Sequence, residues 1–233
     1  MKIALIGYGV MGKLIETLAE NKNHEIAAII DESDANLLAE ELTEKLKGVE
    51  VAIDFSIAEA VKRNVEACVL AKISLVEGTT GWNAEREEIK KFVEESGGAM
   101  VFGANFSIGV NLFYRIVNQA SELISKFDDY EAFIEEQHHS LKRDAPSGTA
   151  LKLKEIVAEH IEKDFSVGSI RAGNIPGTHR VGFDGVADQI LLEHLARSRE
   201  GFASGAMLAA EWIVGKKGFW EFTEVMDEIL RKD

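Results

Sequence analysis

The chain has 233 residues, 46% of them hydrophobic, with 26 Lys+Arg against 40 Asp+Glu and a formal charge of −14. That is one large domain or two small ones, with enough apolar residues for a core, and so acidic a surface excludes a general binder of nucleic acid or anionic membrane. The single cysteine, Cys68, excludes an intramolecular disulfide framework and a Cys-rich zinc site. Only two prolines occur, Pro146 and Pro176, where ~5% usage would supply about a dozen. No apolar run approaches the ~18 residues of a membrane helix. Gly7 and Gly9 cut the first apolar run too short for a signal peptide, so a cytoplasmic protein is expected.

Residues 2–6, 25–30, 50–54, 73–76 and 99–102 are short apolar runs, the signature of strands buried on both faces of a parallel sheet. Helical patterns lie between them. Met11, Leu14, Ile15, Leu18 and Ala19 recur at helical spacing. Ser56 is placed to cap a helix through Ala71, and Asn83 another through Glu95 closed by Gly97-Gly98. The alternation predicts right-handed βαβ units and a Rossmann-type doubly wound parallel sheet. Beyond residue 108 the pattern changes. A long helix is predicted over 108–126 and a half-exposed strand from Tyr130 to Gln137. A helix follows Ser147, with Leu151, Ile156, Val157 and Ile161 inward, and strands lie near 167–172, 179–183 and 187–195. These imply a second α+β domain with a mixed sheet. Helical patterns over 203–215 and 219–231 end the chain.

Gly7-Tyr8-Gly9-Val10-Met11-Gly12 is G-x-G-x-x-G between a strand and a helix, the context a dinucleotide turn requires. The first glycine allows the tight turn, the second a close pyrophosphate, and the third tight packing of helix on strand. Asp31 lies 19 residues past Gly12, where a ribose-binding carboxylate belongs. Gly7…Gly12-Lys13 also begins a P-loop, but the Ser or Thr needed next is Leu14. Asp31-Glu32-Ser33-Asp34 has no Arg or Lys adjoining it, which disfavours a 2′-phosphate and favours NADH over NADPH. Two further loops follow strands, Glu77-Gly78-Thr79-Thr80-Gly81 and Gly103-Ala104-Asn105-Phe106-Ser107. Each suits either an ordinary turn and cap or the nicotinamide end of a cofactor.

The densest chemistry is His138-His139-Ser140-Leu141-Lys142-Arg143-Asp144-Ala145-Pro146-Ser147-Gly148-Thr149. Histidine exchanges protons near neutral pH, and Ser147, Gly148 and Thr149 offer donors to a carboxylate at a helix start. The histidine pair is half a metal site, but no third ligand is identifiable in sequence, so no metal is expected. Residues 165–183 contain Arg171, His179 and Arg180 but no Asp or Glu. Two basic islands in an acidic chain suit a small anionic substrate; solvated arginines on a loop fit the second island as well.

Glu136-Gln-His-His-x-x-Lys142-x-Asp-Ala-Pro-Ser-Gly-Thr-Ala150 closely resembles the signature of the 4-hydroxy-tetrahydrodipicolinate reductase (dihydrodipicolinate reductase) family. Glu77-Gly-Thr-Thr-Gly81, Asn105-Phe-Ser-Ile-Gly-Val-Asn111, Ile170-Arg-Ala-Gly173 and Phe202-Ala-Ser-Gly-Ala206 follow in the family's order. The resemblance implies reduction of a cyclic dicarboxylate with NADH or NADPH and loss of water, in lysine and diaminopimelate biosynthesis. It implies His138 as general acid with Lys142 assisting proton transfer. His139, Ser147, Gly148 and Thr149 then hold substrate. Gly7–Gly12, Asp31, Gly78, Thr79, Thr80 and Gly103, Ala104, Asn105 and Phe106 hold the cofactor. It also implies a homotetramer assembled through the second domain's sheet, with residues 1–106 and 207–233 binding the dinucleotide and 107–206 the substrate. The chain departs from many members in a shortened 32–48 segment and in Glu32, where some carry Arg. Another two-domain Rossmann dehydrogenase and a dinucleotide-sensing regulator are the rival readings.

Overall fold

The computed structural model describes residues 1–231. The chain divides into two compact units, Met1–Ser107 with the chain from Phe202 onward, and Ile108–Gly201. The first begins as β1 (Lys2–Ile6), α1 (Val10–Asn21), β2 (Glu25–Ile30), α2 (Ala39–Lys45), β3 (Val51–Asp54), α3 (Val61–Ala71), β4 (Ser74–Glu77), α4 (Arg86–Glu95) and β5 (Ala99–Phe102). The second holds α5 (Ile108–Ile124), β6 (Glu131–His138), α6 (Gly148–Ala158), β7 (Ser166–Arg171), β8 (Thr178–Asp184) and β9 (Gln189–Leu195). The chain then ends in α7 (Glu200–Ile213), β10 (Gly218–Glu221) and α8 (Phe222–Arg231).

The first sheet is parallel throughout, in the order β10-β5-β4-β3-β1-β2. Every residue of β3, β4 and β5 is buried, which is why their sequences do not alternate, although β3 and β4 end in the buried acids Asp54 and Glu77. The chain steps from β1 to β2 in one direction and from β3 to β5 in the other, so the sheet's switch point lies between β1 and β3. Ile6, Leu42, Val65, Leu75, Ile89 and Met100 fill its main core together with Cys68. Burial, followed by the charges of Asp54 and Glu77, pushes the Cys68 thiol well above its ordinary pKa.

The second sheet is mixed, in the order β7-β6-β8-β9, with β6–β7 parallel and the other two pairs antiparallel. Alternation along β6 buries Ala132, Ile134, Glu136 and His138. Phe113 and Val117 of α5 and Leu153 and Val157 of α6 pack with Ala132, Ile134, Val181 and Phe183 on that face. Glu136 and His138 thus continue a row whose first half is core.

Four local expectations need correction. Residues 218–221 form a sixth strand paired with β5 rather than the start of the last helix. Ser56 does not cap: a short 3-10 turn over Ala58–Ala60 precedes α3, with Ile57 at its start. Asn83 sits inside a 3-10 turn begun at Trp82 and accepts from Arg86 at 3.3 Å. Leu151 is 47% exposed, and Leu153 takes the inward place on α6.

Candidate active site

The glycine turn assigns each glycine its own task. Gly7 has φ +85°, and a Cβ there would lie 2.4 Å from the Phe55 carbonyl oxygen. A Cβ on Gly12 would lie 2.4 Å from the Gly7 carbonyl oxygen, so helix and turn touch through the missing side chain. A Cβ on Gly9 would meet nothing within 4 Å. Gly9 also caps α1 without a side-chain hydrogen bond. The helix start is therefore open to an anion and unobstructed where a pyrophosphate needs room. These residues fit a dinucleotide.

A cavity of about 480 Å³ lies there, lined by Gly9, Val10 and Met11, by Phe55 and Ser56 after β3, and by Gly78, Thr79 and Thr80 after β4. It occupies the switch point. Of the predicted cofactor residues it gathers Gly9, Val10, Met11, Gly78, Thr79 and Thr80, and not Gly7, Tyr8, Gly12, Asp31 or Gly103–Phe106. The sequence reading missed Phe55 and Ser56; the signal was their place after β3, across the switch point from the glycine turn. Phe106 is 2% exposed and packs on Phe55 and Phe222, ring centroids 6.1 and 4.7 Å apart. Asn105 accepts from the Ser107 backbone at 2.9 Å. Ala104 is exposed, and Gly103 continues the strand ladder, its N–H donating to the Glu77 carbonyl at 3.1 Å. Tyr8 donates to Glu16, and Lys13 lies over the Tyr8 ring.

At the end of β2, Asp31 Oδ1 accepts from the Ser33 N–H and hydroxyl at 2.9 and 2.7 Å. Those bonds hold its carboxyl below the usual range. Basic groups do reach this segment, contrary to the sequence reading, because α2 and α3 pack beside it. Lys45 pairs with Asp34, and Arg63 donates to the carbonyls of Asp34, Ala35 and Leu37 at 3.2, 2.6 and 3.2 Å.

In the second unit, His138 Nδ1 meets Glu136 Oε2, while Arg171 donates to Glu136 Oε1 at 2.6 Å and to the Asp144 carbonyl at 2.5 Å. Burial opposes ionisation of Glu136, but the bonds from Arg171, Ser169 and His138 hold its pKa below the ordinary value. Burial draws His138 down, Glu136 pulls it back up, and the charges of Lys142 and Arg171 lower it again. Lys142 pairs with Asp144 at 2.8 Å. Ser147 caps α6 by accepting from the Ala150 N–H at 3.2 Å, and its hydroxyl lies 3.2 Å from His179 Nε2. His179 packs edge-on against His138, ring centroids 5.1 Å apart; burial, then the charge of His138, lowers it to about 4. At the start of α6, Gly148 is exposed and Thr149 half-buried, and His139 is half-buried beside the histidine it follows.

The structure thus adds Glu136, Arg171 and His179 to the predicted set. Glu136 was legible, since positions two apart on a strand share a face. Its pairing with His179 on β8 needed the sheet register. Arg180 is not part of this cluster. It points to the opposite face and pairs with Glu135 and Glu193. Glu136, His138 and His179 also stand close enough to ligate one ion, a grouping different from the His138-His139 pair weighed in the sequence. His139 is not in that trio. Both Glu136 oxygens are already taken by Arg171 and His138, an arrangement suited to fixing a proton on His138.

A doubly wound sheet with an open glycine turn and a second mixed-sheet unit carrying buried histidines place the chain in the class of two-unit nicotinamide-dependent oxidoreductases. A solved structure, "Dipicolinate bound Dihydrodipicolinate reductase from Paenisporosarcina sp. TG-14", shares the fold with TM-score 0.78, at 23% identity over 97% of this chain and 99% of that one. A probable dehydrogenase from Thermotoga maritima shares it more distantly, with TM-score 0.59 at 11% identity over 99% of this chain and 94% of that one. The chain belongs to the dihydrodipicolinate reductase family: the family's N-terminal model matches residues 1–106 and its C-terminal model residues 109–226. The 4-hydroxy-tetrahydrodipicolinate reductase of Christiangramia forsetii is 33% identical over 99% of this chain and 100% of its own length. That of Methanosarcina barkeri is 33% identical over 97% and 99%.

Proposed function

We propose that this protein reduces 4-hydroxy-tetrahydrodipicolinate to tetrahydrodipicolinate with loss of water, using NADH or NADPH, in lysine and diaminopimelate biosynthesis. The observation that carries the reading is the hydrogen-bonded Glu136–His138 pair with Lys142 nearby in sequence, ahead of the Ser147-capped start of α6. One hydride and one proton join the ring, and water leaves. The reduced nicotinamide supplies the hydride when bound; the chain's own task is the proton and the orientation.

His138 is the general acid, and Glu136 fixes its Nδ1 so that Nε2 presents the proton. Lys142 assists, and its ammonium balances a substrate carboxylate. His139, Ser147, Gly148 and Thr149 hold the carboxylates at the helix start. Gly7 to Gly12, Asp31, Gly78, Thr79 and Thr80, with the 103–106 loop behind them, hold the dinucleotide. In this reading the first unit binds cofactor and the second binds substrate. NADH is the preferred donor, because Asp31 and Glu32 repel a 2′-phosphate while Lys45 and Arg63 are already committed. The protein works in the cytoplasm as a homotetramer. The exposed Ile170, Leu191 and Leu195 on the outer face of the second sheet support the assembly.

The test follows absorbance of the reduced nicotinamide with the aldol product of pyruvate and aspartate semialdehyde, using both cofactors. Turnover is expected, with kcat falling about 10²–10⁴-fold in His138→Ala and KM changing less. Turnover unchanged in both His138→Ala and Lys142→Ala removes the mechanism. A tenfold preference for NADPH removes the cofactor assignment. Cofactor binding without turnover favours a dinucleotide-sensing regulator.

A further inference from the structure

Asp54 and Glu77 end β3 and β4 and are partners in the parallel register. Both are fully buried, at 0% exposure. No Lys, Arg or His among the described residues pairs with either. Asp54 Oδ1 accepts from the Ser56 N–H at 2.8 Å and the Thr79 hydroxyl at 3.4 Å, and Oδ2 accepts from Asn64 at 2.7 Å. Glu77 Oε1 accepts from the Thr79 N–H at 2.7 Å, whereas Oε2, equally buried, has no donor among the described residues.

Two carboxylates without a cation in a dry site cannot both stay ionised, so one retains a proton. The donors divide the roles. Asp54 collects three and is the better anion. Glu77 has an oxygen with none, and that oxygen is where a proton completes the network by donating to Asp54. Burial raises both groups; Glu77 is raised further by the neighbouring charge of Asp54. The other polar groups facing the pair come from α3. They are Asn64, whose own carbonyl oxygen accepts from Arg63, and the buried Cys68 thiol.

The pair's partners are the wall of the cavity. Ser56 and Thr79 line it, and the Ser56 N–H reaches both Asp54 and the Thr79 hydroxyl, the latter at 3.0 Å. We propose that Asp54 and Glu77 are positioning residues that share one proton and thereby set the Ser56 and Thr79 loops for dinucleotide binding, an inference that rests on the cavity being the cofactor site. Losing the shared proton puts two negative charges side by side under both loops and loosens that wall.

The experiment measures NADH affinity of the full chain by fluorescence titration from neutral to alkaline pH, for wild type and Glu77→Gln. It is joined by infrared detection of a protonated carboxyl in the cofactor-free protein. Gln keeps the shape and the donor but cannot ionise. Wild-type affinity is expected to fall at least about tenfold at alkaline pH, an energy of about 1.4 kcal/mol, while Glu77→Gln holds its neutral-pH affinity throughout. The infrared band is expected at neutral pH in wild type and absent in Glu77→Gln. A wild type with pH-independent affinity, or a variant that loses affinity as wild type does, overturns the coupling to binding. A missing band overturns the shared proton whatever the cofactor does. If NADH and NADPH both fail to bind at every pH, the cavity's assignment falls instead, and the band alone decides the acid pair.

Discussion

His138 faces two demands that pull in opposite directions. A general acid must carry its proton before the reaction, yet burial and the charges of Lys142 and Arg171 lower its affinity for one. Glu136 offsets part of this, and a bound dicarboxylate would offset the rest, because negative charge nearby favours imidazolium. Activity that needs protonated His138 is present at low pH and lost as pH rises through its pKa. The alkaline limb of kcat/KM, which reports the free protein, is therefore expected below the ordinary histidine value, and the limb of kcat at higher pH. In Glu136→Gln the kcat/KM limb moves to still lower pH. Coincident limbs in wild type, or an unmoved limb in the variant, would show that another group supplies the proton.

The β1–α1 junction separates packing from binding within six residues. Gly12→Ala forces a methyl against the Gly7 carbonyl, backbone that cannot step aside; a loss of about 1–3 kcal/mol in calorimetric stability is expected. Gly9→Ala meets open space, so it should fold normally and weaken only cofactor binding. Equal thermal losses in both would refute this division. The turn was readable because both tasks are local, as were the five fully apolar or near-apolar strands. What escaped the sequence reading depended on distant partners. Phe219, Phe222, Val225 and Met226 continue a helical period, and only pairing with β5 decides that residues 218–221 extend. Ser56 looks like a cap, but its hydroxyl oxygen accepts from the Asn64 side chain at 3.4 Å, and the turn before α3 starts at Ile57. The acid-free 165–183 segment suggested a single basic island, whereas strand alternation sends Arg180 to one face and His179 to the other.

For the molecule as a whole, exposed Ile170, Leu191 and Leu195 share the outer face of the second sheet with the Glu135–Arg180–Glu193 ion pairs, in a chain of charge −14. That acidity keeps copies apart unless a defined apolar contact overcomes it. Sedimentation should show a tetramer whose salt dependence is opposite to that of a charge-paired assembly: screening strengthens it. Leu191→Glu is expected to shift it to smaller species while each chain stays folded. A monomeric wild type would end the assembly proposal. Cys68 is the sole thiol, 1% exposed, and kept protonated by its burial and then by the charges of the acid pair that underlies the cavity. An alkylating reagent therefore modifies it only when α3 lifts from the sheet. The native chain carries its own clock for that opening, and slower labelling on adding dinucleotide would time how firmly the bound ligand holds the region shut.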